Sequence, residues 1–208
     1  MVARLLRRRK RRDALAELAR LTVNALRRAH EEAAIEAYLG AYPVAASEPS
    51  EEALRFFEYV ASTTTDLLVA SVTRFERAIV DASEERERVV AMGGPTHVMA
   101  TPNTVLRLHP WRVVVLPARA EEVIVSVALG ECLTLLDRSP VVVGPGLPSL
   151  WRDATRAEDV LCSWLVRPRT MKDLERVFPG FAPTVLGLIE AGVVACGSKP
   201  ANVPGPRG

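Results

Sequence analysis

The chain has 208 residues, enough for a sizeable core in one large domain or two small ones. Hydrophobic residues make up 49% of it, too many for an unfolded chain, and no run of 18 apolar residues offers a membrane span. The net charge is +2, but seven of the 27 basic residues lie in the first twelve positions, leaving 20 basic against 25 acidic residues, a net −5 without the basic body of a nucleic-acid-wrapping domain.

Residues 1–12 read as a basic extension holding Arg4, Arg7, Arg8, Arg9, Lys10, Arg11 and Arg12. Two readings stand for it: a solvated helix turn, or an electrostatic contact with an acidic surface or nucleic acid. It is no secretory signal, because Asp13, Glu17 and Arg20 interrupt the apolar stretch one requires.

Residues 13–92 read as a helical domain of two or more long helices. Leu15, Leu18, Leu21, Leu26, Ile35 and Leu39 recur at helical spacing in an alanine-rich stretch, which Gly40 and Pro43 end. Ser50 is the expected N-cap of the next helix, with Glu51 and Glu52 in its first turn. Phe57, Val60, Thr64, Leu67, Ser71, Phe75 and Ile79 make one apolar stripe, with a bend expected at Thr63–Thr65. Met92-Gly93-Gly94-Pro95 breaks the pattern.

Residues 104–197 change to β texture. Strands are expected at Trp111–Leu116, Glu122–Ala128 and Pro140–Gly144, with helix or loop over Leu133–Asp137. Gly144-Pro-Gly-Leu-Pro148 is a rigid break and no phosphate cradle, since Pro145 has no amide to donate. Three short helices follow. Thr155 with Glu158 fits a capping box, Thr170 with Asp173 fits a second, and Pro183 suits the first turn of the third, with Gly192 just past its end. Val193–Ala195 reads as a short strand and residues 198–208 as a disordered tail. The class is α+β: a helical half, then a small winged-helix-like module of three strands and three helices.

No enzyme signature emerges. GxSxG, GxxxxGK[ST] and GxGxxG are absent, and His30, His97 and His109 have no partner at metal-ligand spacing. The carboxylates of Ser83–Glu87, mixed with Arg86 and Arg88, read as a charged helix end. Cys132, Cys162 and Cys196 form no CxxC pair, and their odd count suits reduced, mostly buried thiols in a cytoplasmic protein.

The segments Ala154–Leu165, Thr170–Leu174 and Val185–Val194 resemble the helical part of the winged helix-turn-helix of transcription regulators, and of the peptide-recognition module in ribosomal-peptide modification systems. With a helical half containing Val72-Thr-Arg-Phe-Glu-Arg-Ala78 in front, the whole layout resembles the accessory partner proteins of multinuclear non-heme iron-dependent oxidases. The resemblance covers most of residues 13–196. It implies a non-catalytic chain with no cofactor of its own, the iron being in a separate oxidase. Such a chain forms a heterodimer with that oxidase, binds the leader of a precursor peptide and presents its core. It further implies leader addition to an exposed sheet edge at Val141, Val142 and Val143, with Val185 and Ile189 on the facing helix. Read as residues alone, these five are ordinary core positions. On the edge reading, Val142→Pro is expected to weaken peptide binding. A DNA-binding regulator and a structural assembly subunit are the other readings. Against the first, Pro183–Ala191 offers Thr184 and Glu190 but no basic side chain to read bases.

Overall fold

The computed structural model describes residues 2–92, 100–129 and 138–197. The expected breaker Gly93–Pro95, the stretch Leu133–Asp137, the tail from Ser198, His97 and Cys132 lie outside them.

The first half forms five helices: α1 (Val2–Leu18), α2 (Arg20–Arg28), α3 (Ala33–Ala41), α4 (Pro49–Thr63) and α5 (Leu67–Ala91). The basic run is continuous with the helix that follows it, so the expected division at residue 12 falls inside α1. One side of α1 is turned inward by charge. Arg11 Nε donates to Glu52 Oε1 at 2.7 Å, and its guanidinium also reaches the Tyr42 carbonyl. The Tyr38 hydroxyl donates to the same carboxylate at 2.9 Å, and the Ala46 amide to its other oxygen at 2.7 Å. Burial alone would raise the Glu52 pKa, but the Ala46 amide and Arg11 outweigh it and hold the carboxyl below its usual range. Burial and then the neighbouring Glu52 push Tyr38 up to about 12. Arg8 and Arg12 pair with Glu36 at 3.0 and 3.7 Å.

Two expectations shift here. Glu48, not Ser50, is the residue before α4, with Pro49 in the first turn, where its missing amide costs nothing. At Thr64 the chain turns extended, so the expected bend is a full break; Asp66 then caps α5 by accepting from the Val69 amide at 2.9 Å. The stripe is thereby divided: Phe57, Val60 and Phe75 are buried, while Leu67 is 84% exposed.

The second half contains β1 (Val105–Leu108), β2 (Val113–Leu116), α6 (Ala120–Leu129), β3 (Ser139–Val143), β4 (Trp151–Asp153), α7 (Arg156–Trp164), β5 (Arg169–Thr170), α8 (Met171–Val177), α9 (Ala182–Glu190) and β6 (Val194–Gly197). The protein is thus α+β, with two small three-stranded antiparallel sheets ordered β5-β1-β6 and β2-β3-β4. Glu122–Ala128, expected as a strand, is helical. Ala120, Val123 and Val127 are buried at helical spacing, and Glu121 and Glu122 occupy the first turn, where the helix dipole favours them. Tertiary burial of one stripe overrides the β-propensity of the Val-Ile-Val run.

Sheet β2-β3-β4 lies between two cores. Val141 and Val143 of β3 join Val114 and Leu116 in a core with α5, α2 and α6. Val142, on the opposite face, joins Leu161, Val185 and Leu188 in a second core with the C-terminal helices. Arg112, just before β2 and fully buried, pins this sheet to α5, with Nη2 at 2.9 Å from Asp81 and 2.6 Å from Glu85. Trp111 before it has φ 67, so the chain reverses locally: the indole stands outside while the guanidinium enters the core.

Candidate functional site

The five expected contact residues do not form an open edge. β3 is the central strand, paired with β2 through Val113↔Val142 and Val114↔Val141 and with β4 through Val142↔Arg152 and Val141↔Asp153. Both sides of its backbone are therefore taken, and Val141, Val142 and Val143 are fully buried. Val185 is likewise core, and Ile189 is half-buried at the margin of the second core. The edge placement at 141–143 is corrected on these grounds: the sheet has a strand on each side of β3, and the second one, β4, carries few β-formers to announce it. Val142→Pro would break an interior ladder rather than a binding border.

The border on that side is β4. The Gly144 amide donates to the Leu150 carbonyl at 2.8 Å and the Ala154 amide to the Pro140 carbonyl at 2.8 Å. By the antiparallel alternation, Arg152 directs its main-chain groups at Val142, while those of Trp151 and Asp153 point away from β3. Among the described residues no strand pairs with that outer side. Side chains alternate as well. Trp151 packs edge-on against Phe75 of α5, with ring centroids 5.6 Å apart, and Asp153 Oδ1 accepts weakly from the Ala120 amide at 3.4 Å. Arg152 points to the other face and forms a two-point pair with Glu158, at 2.7 and 2.5 Å.

That pair joins the border to α7. Glu158 also accepts from the Thr155 amide at 2.8 Å while Thr155 Oγ1 accepts from the Glu158 amide, the expected capping box. The Arg152 hydrogen bond is the largest influence on Glu158 and holds its carboxyl below the usual range against the opposing effect of burial. Thr170 and Asp173 complete the second expected box at the start of α8.

The turn preceding β4 is held from both sides. Arg86 of α5 donates to the carbonyls of Pro145 (2.7 Å), Pro148 (3.3 Å) and Leu147. Opposite, the Gly146 amide donates to Ala191 at the end of α9. A Cβ on Gly144 would sit 1.9 Å from the Ala191 carbonyl oxygen, and one on Gly146 2.1 Å from that of Glu190. The expected rigid turn is thus a close backbone contact that only glycine permits. The Gly/Pro cluster marks a turn in the sequence, but only the pairing across it places β4 at the border.

A separate charged cleft of about 420 Å³ opens between α1, α2 and α3, lined by Arg12, Asp13, Arg27, Glu32 and Glu36 with Ile35 at its floor. Among the described residues no three His, Cys, Asp or Glu side chains gather to hold a metal ion, and no helix is long and apolar enough to cross a membrane. Compared with known family models, curated proteins and solved structures, the chain finds no match.

Proposed function

We propose that the protein is a non-catalytic partner that binds the leader of a ribosomally made precursor peptide and presents the peptide's core to a separate iron-dependent oxidase, with which it forms a heterodimer. The observation that carries this reading is the outer border of β4. Its outward main-chain groups, at Trp151 and Asp153, can pair with an extended visitor, the Asp153 carbonyl offering its second lone pair beside the 3.2 Å bond it accepts from Arg152 Nη1, and the strand is held by Arg152–Glu158 on one face and Trp151–Phe75 on the other. Preorganisation lowers the entropic cost of capturing a flexible leader. We also read α7, α8 and α9 with sheet β5-β1-β6 as a winged-helix-like unit: β5 leads directly into α8, β6 follows α9, and β1, arriving from earlier in the chain, fills the middle position. Leader binding supplies no chemistry; the iron and the oxidation belong to the partner.

The reading expects an oxidase gene and a precursor-peptide gene beside this one, and co-expression of the three products should yield a ternary complex. Asp153→Pro removes one outward amide at an edge position that tolerates proline, and should weaken leader binding at least about tenfold, or about 1.4 kcal/mol. Asp153→Ala, which keeps the amide, should bind within about twofold of the parent. Equal affinity for all three proteins in calorimetry would place the leader elsewhere. Absence of both oxidase and peptide from the purified protein would refute the partner reading and favour an assembly subunit.

A further inference from the structure

We infer that the aromatic face shared by α7, the turn after it and the α8–α9 corner is a second docking surface, for an acidic protein segment bearing a large apolar side chain. Trp164 and Phe178 pack edge-to-face at 5.5 Å and 89°, and Phe178 and Phe181 lie 5.3 Å apart. All three rings sit at the margin of the second core and stay partly open to solvent, and Val160, one turn before Trp164, is 41% exposed. Rigid, partly exposed aromatics of this kind supply contact area at low entropic cost and are typical anchors of interfaces.

The charge over Trp164 and in the segment that follows it specifies the partner. Arg169 stands 5.4 Å over the Trp164 ring. Among the described residues neither it nor Arg167 nor Lys172 has a carboxylate within 4 Å. Arg169 does feel Asp173, but the oxygens of Asp173 are engaged by Thr170 and Arg176. Arg8, Arg11, Arg77, Arg112 and Arg152 each face a carboxylate of the chain itself, whereas Arg169 meets the face of an aromatic ring instead. The stretch 166–178 holds four cations and two carboxylates, in a body that is otherwise acidic. Unneutralised cations beside an apolar anchor complement a segment that brings both an apolar side chain and negative charge. A peptide fits better than a nucleic acid, because the anchor is an apolar ring cluster and the adjoining helix α9 offers no Arg, Lys, Asn or Gln to read base edges. This surface is distinct from the β4 border, and loss of leader binding there leaves it intact.

The test is selection of short random peptides displayed on phage against the full chain, in parallel with Trp164→Ala and Arg169→Glu. Peptides retained by the parent should be rich in Asp and Glu and carry Phe, Leu or Trp, and synthesised singly they should bind the parent at least about tenfold more tightly than either variant. Circular dichroism establishes that each variant is folded. Arg169 is exposed, so Arg169→Glu decides the matter even where Trp164→Ala is unstable. Peptides that are neutral or basic, or that bind both variants as well as the parent, overturn the proposal. So does displacement of the selected peptides by random-sequence duplex DNA, which would make the face a polyanion site.

Discussion

Two charged side chains show how this sequence uses ionisable groups as internal fasteners. Arg112 is the most deeply buried, and removal of both of its carboxylates would strand the guanidinium without a counter-charge, a loss that characteristically costs about 3–5 kcal/mol. Glu158 combines a helix cap with an ion pair, so Glu158→Ala should lower stability by about 2 kcal/mol near neutral pH, the half-exposed Arg152 adding little beyond the cap. Because its native pKa lies below the ordinary 4.5, the stabilisation from Glu158 is complete above that value and is lost as pH falls through the lower native one. Urea denaturation of parent and variant should therefore diverge at pH 7 and converge in acid. A gap that persists unchanged to low pH would show that packing, not charge, is what the substitution removes. Cys162 behaves oppositely to a reactive thiol: burial, then Glu158 and Asp159, push it up to about 12.

At the scale of elements, α2 has an unusual start. Its N-cap residue, Ala19, has no side-chain acceptor, and the carboxylate of Glu76 on α5 takes that role, accepting from the amides of Leu21 at 2.9 Å and Thr22 at 2.7 Å. Burial raises the Glu76 pKa despite these bonds, so the native state holds this proton more tightly than the unfolded chain, and its contribution to stability falls as pH rises from the ordinary 4.5 through the native value. Glu76→Ala should cost about 2 kcal/mol, and hydrogen exchange should speed at Leu21 and Thr22 more than along α5. Uniform change across both helices would deny the capping role. The contrast with α7 and α8 explains what could be read in advance. Their capping boxes are written three residues apart, and Pro183 and Gly192 bracket α9, so helix boundaries there were legible. Glu76 lies 55 residues from the amide it caps, and no local pattern announces it. The same holds for the border strand: which of β3 and β4 is outermost depends on pairing across a turn, and the residues Trp151, Arg152 and Asp153 have no alternation to mark them. For α6, the run Val123-Ile-Val-Ser-Val127 satisfies strand propensity and helical burial together, and only the neighbours choose.

At the scale of the whole molecule, the division into a helical half and a β-containing half does not coincide with the division into cores. Strand β3 contributes alternate residues to both, and α5 reaches the sheet and its turn through Phe75, Arg86 and the pairing of Asp81 and Glu85 with Arg112. Both cores should therefore melt together. Trp151 reports the first and Trp164 the second, so variants retaining one or the other should give coincident denaturation midpoints, matching far-ultraviolet circular dichroism; separated midpoints would mean independent units. The shared strand also has a practical corollary for engineering. Cutting the polypeptide after residue 92 would leave each fragment with an uncovered apolar wall that only the other can close, since α5 and α2 lie in one piece and β2, β3 and α6 in the other. Expressed alone, either piece should precipitate; expressed together, they should find each other and restore the fold, which makes this chain a ready scaffold for a split-reporter assay.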